Sequence, residues 1–331
     1  MTYRILSIDG GGIRGVLAAR MLQHLEERIQ VPLHEYFDLI AGTSTGSMVG
    51  AAIALGIPCE KIVKLYRKKA KKVFPYTTRW TIKRLPLLLQ YGPSAPKFSE
   101  KGLVKMLKDL LGDKLLDDVT KPKLLITSYD TIGRMPLIFK SWKEKFAEIP
   151  LWEACVCSTA APTFFPAHRL ELNGKIISAI DGGLAANNPT ACAVAEAIRL
   201  GNPLESLEVL SVGTGAATSV IPWEQARSWG TLQWIWDGRV VKVMTDAPCE
   251  VYHYITDYII GDRARYARLQ FPLDRQLTRK PLSDEMDDAS KENLSNLIEA
   301  ADAYMNLPDV VDWLNLCFTF PPSESLEGFN A

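Results

Sequence analysis

Three glycine turns in this sequence hold residue types that suit acyl-transfer chemistry. They are residues 9–15 (Asp-Gly-Gly-Gly-Ile-Arg-Gly), 42–46 (Gly-Thr-Ser-Thr-Gly) and 181–183 (Asp-Gly-Gly). Each turn directly follows a predicted strand. Because active sites in open α/β sheets gather at the carboxyl ends of the strands, this order predicts that the three turns meet.

Ser44 is the predicted nucleophile. A Gly-x-Ser-x-Gly turn between a strand and a helix is typical of a nucleophile elbow, in which the serine is held in a strained conformation above the sheet. The turn is so tight that only glycine fits two residues on either side, which gives Gly42 and Gly46 a supporting role. The alternative is an ordinary glycine-rich turn whose hydroxyl caps a helix.

A serine hydroxyl needs a base that takes its proton, and histidine is the usual one. None of the four histidines lies in a glycine-rich turn after a predicted strand, so each is more typical of a surface or packed position. His253 is the only one that follows Asp181 in the chain, as a Ser–Asp–His order requires. The others are His24, His34 and His168.

Asp181 is therefore the predicted base. It ends a predicted strand, and Gly182 after it lets the backbone turn sharply and hold the carboxylate at the sheet edge. A carboxylate with an ordinary pKa of about 4 is ionised at pH 7 and accepts the proton of a nearby serine. The alternative is a structural aspartate that caps a turn or a helix.

The first glycine turn predicts an oxyanion hole. Gly10, Gly11 and Gly12 present consecutive backbone N–H groups that no side chain obstructs. Such donors stabilise the oxyanion of acyl transfer, and the loss of one costs about 3–4 kcal/mol. Arg14, at the start of the next predicted helix, either supports this loop or binds a phosphate.

Hydrophobic patterning predicts the elements that position these turns. Strands and helices alternate, which indicates an α/β fold with a mostly parallel central sheet flanked by helices. We expect one domain over residues 1–320, with a core at about 3–215, a C-terminal helical region at about 223–318 and a loose tail at 321–331. The predicted strands are 3–8, 36–41, 123–128, 136–139, 175–180, 207–212 and 267–271; the predicted helices before the C-terminal region are 14–29, 47–55, 59–73, 99–111 (capped by Ser99), 151–158 and 189–200.

Residues 74–97 form the longest stretch without a regular pattern, and a basic predicted helix precedes them. Loops of this length in compact domains are usually functional or mobile. One hypothesis is peripheral membrane contact through residues 68–97, in which basic side chains contact lipid phosphates while apolar side chains enter the interface. The alternative is a solvated basic face with a loop packed on the core. The side chains concerned are Lys68 to Lys72, Arg79, Trp80, Lys83, Arg84 and Leu85 to Leu89.

The composition does not favour nucleic-acid binding, because Lys+Arg and Asp+Glu are equal at 38 each. The six cysteines are scattered without redox or zinc-ligand spacing, which indicates buried thiols in a reducing cytosol. The N-terminus lacks signal-peptide features, and no apolar run approaches the roughly 18 residues of a membrane span. We therefore expect a cytoplasmic protein.

The three turns, in this order, resemble those of the patatin-like phospholipase family. Residues 160–166, 186–189, 266–270 and 286–290 also look like family landmarks, so the resemblance covers about residues 3–306. It implies a modified α/β-hydrolase fold and a Ser44–Asp181 dyad without a catalytic histidine. It also implies an oxyanion hole at Gly10, Gly11 and Gly12, and hydrolysis of acyl esters in phospholipids, galactolipids or neutral glycerolipids without a cofactor or metal.

Several alternatives to hydrolysis stay open. Residues 10–15 also satisfy the Gly-x-Gly-x-x-Gly pattern of dinucleotide-binding proteins. That fingerprint also requires an acidic residue at the end of the second strand. Asp38 lies near the start of that strand instead. A non-catalytic storage or effector protein of this fold is a further alternative. The family resembled also includes acyltransferases and effectors that are activated by a signal.

Overall fold

The computed structural model describes residues 2–235 and 239–318. Within those ranges, the strands are β1 (Tyr3–Ile8), β2 (Leu39–Thr43), β3 (Lys123–Asp130), β4 (Met135–Lys140), β5 (His168–Leu172), β6 (Lys175–Asp181), β7 (Leu207–Val212) and β8 (Tyr266–Leu269). They form one sheet in the order β5-β6-β3-β2-β1-β7-β8, and β4 pairs with β3. Neighbouring strands along the path β3-β2-β1-β7-β8 are parallel. The β3–β4, β3–β6 and β5–β6 pairs are antiparallel. The predicted α/β fold with a mostly parallel sheet is confirmed.

Helices pack on both faces of this sheet. In the same residues they are α1 (Gly15–Ile29), α2 (Leu33–Tyr36), α3 (Thr45–Ala54), α4 (Cys59–Val73), α5 (Leu85–Tyr91), α6 (Lys101–Leu111), α7 (Leu151–Thr159), α8 (Gly183–Ala186), α9 (Thr190–Arg199), α10 (Trp223–Ala226), α11 (Thr231–Ile235), α12 (Arg239–Ile260), α13 (Lys291–Met305) and α14 (Pro308–Cys317). None of the helices in the described part of the chain combines the length and apolar character that crossing a membrane requires.

Strand β1 separates two apolar cores, because successive side chains along a strand point to opposite faces. Leu6 and Ile8 belong to the larger core, which includes the buried faces of α1 and α3. Ile5 belongs to the second core, where Ala193 and Ala197 of α9 pack against the sheet. The central strands are thus buried on both faces, as their nearly continuous apolar sequences predict.

Strand β3 aligns the ends of β2 and β6. The last residue of β2, Thr43, pairs with Thr127, and the last residue of β6, Asp181, pairs with the adjacent Ser128. Because β4 occupies the other edge of β3, β2 and β6 share one edge. Along that edge β2 pairs with the first part of β3 and β6 with the last part. Because β2 is parallel and β6 antiparallel to β3, the two strands run toward each other and their carboxyl ends meet. This brings the turn at 42–46 close to Asp181.

The bounds predicted for the second strand, 36–41, are wrong at both ends. The strand observed there, β2, begins at Leu39 and continues to Thr43. Tyr36 instead ends a short helix, in which its N–H donates to the Pro32 carbonyl at 3.1 Å. The apolar run at 36–41 therefore contains both the end of α2 and the start of β2, and its hydrophobic pattern does not show the boundary between them.

One strand was not predicted, one helix begins later than predicted, and the predicted tail is not described. Strand β5 has no counterpart among the predicted strands, because this edge strand buries only one of its five side chains. The helix predicted from Ser99 begins at Lys101, although the Ser99 hydroxyl does accept the Lys101 N–H at 3.3 Å. The tail predicted at 321–331 lies outside the described residues.

Residues 74–97 are not wholly irregular, since they contain α5. Arg84 is buried, and its guanidinium donates to the carbonyl oxygens of Arg79 at 3.0 Å and Ala95 at 2.7 Å. These bonds tie the two ends of the segment together. Leu87 is buried as well. The hypothesis that Arg84 and Leu87 contact lipid is therefore wrong, because neither side chain reaches the surface.

Candidate active site

Ser44 occupies a sharp turn between β2 and α3. Its φ of +53° lies in the left-handed region, and its ψ is −122°, a conformation that a residue with a side chain adopts only under strain. A Cβ atom at Gly42 would come within 2.4 Å of the Gly46 carbonyl oxygen, and one at Gly46 within 2.2 Å of the Ile8 carbonyl oxygen. Both glycines therefore permit backbone contacts that any other residue would prevent.

Asp181 lies directly beside this serine. The Ser44 hydroxyl donates to Asp181 Oδ2 at 2.7 Å, and the Gly183 N–H donates to Asp181 Oδ1 at 2.7 Å. Both side chains of the pair are buried, with 8% of Ser44 and 7% of Asp181 exposed. The carboxylate is thus fixed by one bond and aims its second oxygen at the serine.

Burial raises the pKa of the Asp181 carboxyl from 3.8 to about 6, because desolvation disfavours its charged form. The bonds from the Gly183 N–H and the Ser44 hydroxyl oppose this shift. At pH 7 the group is still mostly ionised, and a pKa near the working pH suits a residue that accepts and then returns a proton.

The first glycine turn faces the same point. Gly11 and Gly12 line the cavity that contains Ser44 and Asp181. Gly12 has a φ of +59°, and a Cβ atom there would lie 2.2 Å from the Met286 carbonyl oxygen. Glycine is thus required at this position both by the backbone conformation and by the close approach.

Gly10 is placed differently. Its N–H donates to the Asn187 carbonyl at 3.0 Å, so this donor is already engaged, contrary to its predicted part in an oxyanion hole. A Cβ atom at Gly10 would lie 2.2 Å from Asn187 Oδ1 and 3.2 Å from Ser44 Cβ. Its role is to let the loop pass close to the serine.

Arg14 supports the loop through its backbone, since its N–H donates to the Gly11 carbonyl at 3.2 Å. Its side chain is buried and is not among those that line the cavity around Ser44. Burial lowers the pKa of the guanidinium, and the charges of Asp246 and Asp284 oppose that shift. Both roles predicted for the Arg14 side chain, support of the loop and binding of a phosphate, stay predictions.

The histidines lie away from the serine. His253 Nδ1 is 2.8 Å from the Tyr266 hydroxyl, so this residue does not complete the Ser–Asp–His order that its position in the chain allows. No histidine of the chain, each within the described residues, lines the cavity around Ser44. His24 pairs with Asp302, His34 lies beside Glu35, and His168 lies between Glu100 and Glu153.

Two residues near the serine make contacts that the sequence does not predict. The Ser158 hydroxyl accepts the Ser44 N–H at 2.8 Å and so holds the elbow in place. The Asn187 carbonyl accepts the Gly10 N–H and so holds the glycine loop beside the serine. Asn187 belongs to the landmark at 186–189 that carries the family resemblance, whereas no sequence pattern distinguishes Ser158 from other helix residues.

A narrow apolar cavity extends from Ser44, and we call it the inner cavity. Its volume is about 80 Å³, well below the roughly 300–1,000 Å³ of typical ligand pockets. Methionine side chains are flexible and adaptable, so this lining can open around a slender chain. The apolar side chains that line it include Met48, Tyr66, Ala70, Val73, Leu103 and Met106.

A family model and several curated proteins match this chain. A family model described as "Patatin-like phospholipase" matches residues 6–194. Patatin-like protein 1 of Arabidopsis thaliana is 31% identical over 336 residues, which cover 88% of this chain and 79% of that protein. Patatin-like protein 2 of Oryza sativa subsp. indica is 29% identical over 345 residues, which cover 91% and 83%. The solved structure of human GIVD cytosolic phospholipase A2 in complex with methyl gamma-linolenyl fluorophosphonate is 12% identical, with a TM-score of 0.48, and the match covers 95% of this chain and 58% of that one.

Proposed function

We propose that this chain, which belongs to the patatin-like phospholipase family, hydrolyses carboxylic acyl esters of glycerolipids through a Ser44–Asp181 dyad. Family membership supports a lipid acyl hydrolase. The observation that carries the finer proposal is the 2.7 Å hydrogen bond from the Ser44 hydroxyl to Asp181 Oδ2. A serine held in an elbow with a buried carboxylate as its direct partner has the geometry of an activated nucleophile.

In the first half of the reaction, Asp181 takes the hydroxyl proton while Ser44 Oγ attacks the carbonyl carbon of the ester. The tetrahedral intermediate carries an oxyanion, which the N–H groups of Gly11 and Gly12 stabilise. The carbon–oxygen bond to the leaving alcohol then breaks, and Asp181 returns the proton to that alcohol. An acyl group remains bound to Ser44 Oγ, and the acyl chain occupies the inner cavity.

In the second half, Asp181 takes a proton from water, and the resulting hydroxide attacks the acyl carbon. The second tetrahedral intermediate uses the same N–H donors. It collapses to the free fatty acid, and Asp181 returns the proton to Ser44 Oγ. No step needs a histidine, because one carboxylate both accepts and donates the proton.

The test is hydrolysis of a p-nitrophenyl acyl ester. We expect Ser44→Ala and Asp181→Asn each to abolish it, with Asp130→Asn as a matched control, since Asp130 is another buried carboxylate, and its hydrogen bonds are to the backbone N–H groups of Ile132, Gly133 and Ser178. Activity retained by Asp181→Asn would refute the dyad. A fluorophosphonate probe should also label Ser44; binding of a dinucleotide without labelling would favour the alternative function of residues 10–15.

We further propose that residues 68–97 contact a lipid surface through their exposed side chains. Trp80 is 94% exposed, and Ile82 and Leu89 are also exposed. Apolar side chains beside basic ones are typical of interfacial binding, in which the first insert and the second attract anionic lipid. The exposed lysines of this surface are Lys68, Lys71, Lys72 and Lys83.

Co-sedimentation with liposomes of anionic and zwitterionic lipid tests this contact. We expect Trp80→Ser/Leu89→Ser to weaken binding strongly. The control is Ile198→Ser/Leu316→Ser, which changes exposed apolar residues on α9 and α14. Equal binding by the two double variants would show that residues 74–97 are a solvated segment without a membrane role.

A further inference from the structure

Lys97 and Asp287, which lie far apart in the chain, form an ion pair that is nearly closed to solvent. Their side chains are 12% and 6% exposed. Burial raises the pKa of the Asp287 carboxyl, and the contact with Lys97 opposes that shift. Because either charge would be costly to bury alone, the two side chains hold each other in place. Neither lines the inner cavity, so an effect of this pair on the reaction must pass through other residues.

Asp287 follows the residue that packs against the glycine loop. The Met286 carbonyl oxygen accepts the Ile13 N–H at 2.8 Å. A Cβ atom at Gly12 would lie 2.2 Å from the same oxygen, so the carbonyl is in direct contact with this glycine. The position of Met286 therefore sets where the Gly12 N–H lies beside Ser44. Asp287 thus belongs to the oxyanion side of the reaction centre.

The backbone of Lys97 is held on the opposite side. Its N–H donates to the Thr163 carbonyl at 2.9 Å, and the Phe98 N–H donates to the Phe164 carbonyl at 2.7 Å. The Lys97 carbonyl accepts the Tyr76 hydroxyl at 2.5 Å. Both backbone polar groups of Lys97 are therefore engaged, and the residue moves with the loop that contains Thr163 and Phe164.

That loop also holds the backbone of the base. The Ala160 carbonyl accepts the Asp181 N–H at 3.1 Å, and the Phe164 N–H donates to the Ala161 carbonyl at 3.1 Å. Phe164 and Asp181 both line the inner cavity. Residues 160–164 thus connect Lys97 to Asp181 through a short series of backbone hydrogen bonds.

We infer that Lys97 and Asp287 are positioning residues, which set the distance between the oxyanion donors and the Asp181 carboxylate. The inference rests on the proposed function and adds two residues to it. The ion pair joins the segment that packs on Gly12 to the loop that binds the Asp181 backbone. Acyl transfer needs the base and the N–H donors at a fixed separation, because a small misplacement of either slows the reaction. Loss of the pair lets the two sides move apart, although neither side chain touches the reacting atoms.

The first test is hydrolysis of p-nitrophenyl butyrate by Lys97→Met/Asp287→Asn, a double variant that leaves no unpaired charge buried. We expect kcat to fall about tenfold, a part of the roughly 10²–10³-fold that loss of a whole oxyanion donor costs. KM should change by less than about twofold, because the pair acts on the transition state. Both side chains also line a larger cavity beside the inner one, so direct contact with the substrate is the competing role. Such contact would raise KM and leave kcat unchanged, which would overturn the inference.

The matched control is Lys140→Met/Glu196→Gln. Lys140 Nζ lies 2.6 Å from Glu196 Oε1, and each side chain is 13% exposed. This pair joins β4 to α9 and does not line the inner cavity. The two double variants should lose similar amounts of stability, but only the first should lose kcat. An equal change of kcat in both would show that the Lys97–Asp287 pair has a structural role alone.

Single variants show whether the two residues act as one unit. We expect Lys97→Met and Asp287→Asn each to lower kcat about as much as the double variant, because each breaks the same contact. Lys97→Arg keeps a cation opposite Asp287 and should retain most of the wild-type kcat. Losses that add in the double variant would mean that the two residues act separately, which contradicts the inference.

The second test needs no turnover and uses an alkyl trifluoromethyl ketone. Ser44 Oγ adds to its carbonyl carbon, Asp181 takes the hydroxyl proton, and the electron pair of the carbonyl bond moves to the oxygen, which becomes an oxyanion. We expect the inhibition or binding constant to weaken in Lys97→Met/Asp287→Asn by the factor by which kcat falls, and to stay unchanged in the control. Unchanged affinity in both double variants would overturn the inference. A wild type that binds the ketone but hydrolyses no ester would refute the proposed function, and the difference in affinity would still decide the role of the pair.

Discussion

The guanidinium of Arg268 in β8 donates to both carboxylate oxygens of Asp9, at 3.0 Å to Oδ1 and 2.5 Å to Oδ2. Both side chains are buried, at 8% and 1% exposed. Asp9 directly precedes Gly10, and Arg268 lies outside the residues 6–194 that the family model matches. The C-terminal part of the chain thus anchors the glycine loop beside Ser44.

Removal of Arg268 is predicted to destabilise the protein. Arg268→Gln leaves the Asp9 carboxylate buried without its cation, and we expect the free energy of unfolding to fall by about 3–5 kcal/mol. Chemical denaturation measures this. The control is Arg169→Gln, whose pair with Glu171 is exposed and whose loss costs about 0–1 kcal/mol. An equal, small effect in both variants would mean that the buried pair does not anchor the loop.

The activity should depend on pH through Asp181. The carboxylate must be ionised to accept the Ser44 proton, and its pKa is about 6. We expect kcat/KM to be level above that value and to fall about tenfold for each pH unit below it. Assays on a soluble ester, with a check that activity returns on neutralisation, measure the profile. A profile governed by a group that titrates well above pH 6 would contradict the assignment.

The same shift predicts that Asp181 reduces stability at neutral pH. The pKa of this carboxyl is raised from 3.8 to about 6 on folding, so the folded state binds the proton more tightly than the unfolded state. Binding of this proton stabilises the folded state by about 3 kcal/mol below pH 3.8, and that stabilisation is lost as the pH rises through 6.

We therefore expect Asp181→Asn to raise the free energy of unfolding at pH 8 by up to about 3 kcal/mol, because asparagine carries no charge to bury. The gain should disappear at pH 4, where aspartate is protonated in the folded protein. Thermal unfolding at the two pH values makes the comparison. A variant that is less stable than the wild type at pH 8 would show that desolvation of Asp181 is offset by its hydrogen bonds.

Substitution of Gly46 should damage the elbow. The Cβ atom in Gly46→Ala would lie 2.2 Å from the Ile8 carbonyl oxygen in β1, and overpacking of this kind typically costs about 1–3 kcal/mol or more. The control is Gly230→Ala, because Gly230 is exposed and a Cβ atom there would be 3.6 Å from its nearest neighbour, Gln233 Oε1. We expect only Gly46→Ala to lower both the melting temperature and fluorophosphonate labelling. Similar values for the two variants would refute the packing argument.

The sequence predicts the meeting of Ser44 and Asp181 for a reason that is only partly correct. The prediction rests on carboxyl ends of parallel strands, but β6 is antiparallel to β3. The two residues meet because β2 and β6 approach each other along one edge of β3. Such a pairing depends on strand order, which local hydrophobic patterns do not encode.

The surroundings of the serine were harder to predict. A run of glycines indicates free N–H groups, yet the Gly10 N–H is taken by the carbonyl of Asn187. That contact joins residues far apart in the chain, so no local pattern reveals it. The same holds for the inner cavity, whose lining from α4 and α6 is defined only when both helices pack beside Ser44.

The width of the inner cavity should set the preferred acyl chain length. Met106 lines this cavity, and Met106→Ala opens space in it. Burial of each additional methylene contributes about 0.8 kcal/mol, so room for two more should raise the ratio of kcat/KM for decanoyl to butyryl p-nitrophenyl esters about tenfold. The control is Met305→Ala, since Met305 in α13 is also buried and is not part of the inner-cavity lining. Both variants should lose a similar amount of stability, about 2–5 kcal/mol, but only Met106→Ala should change the ratio; the same change in both would place the acyl chain elsewhere.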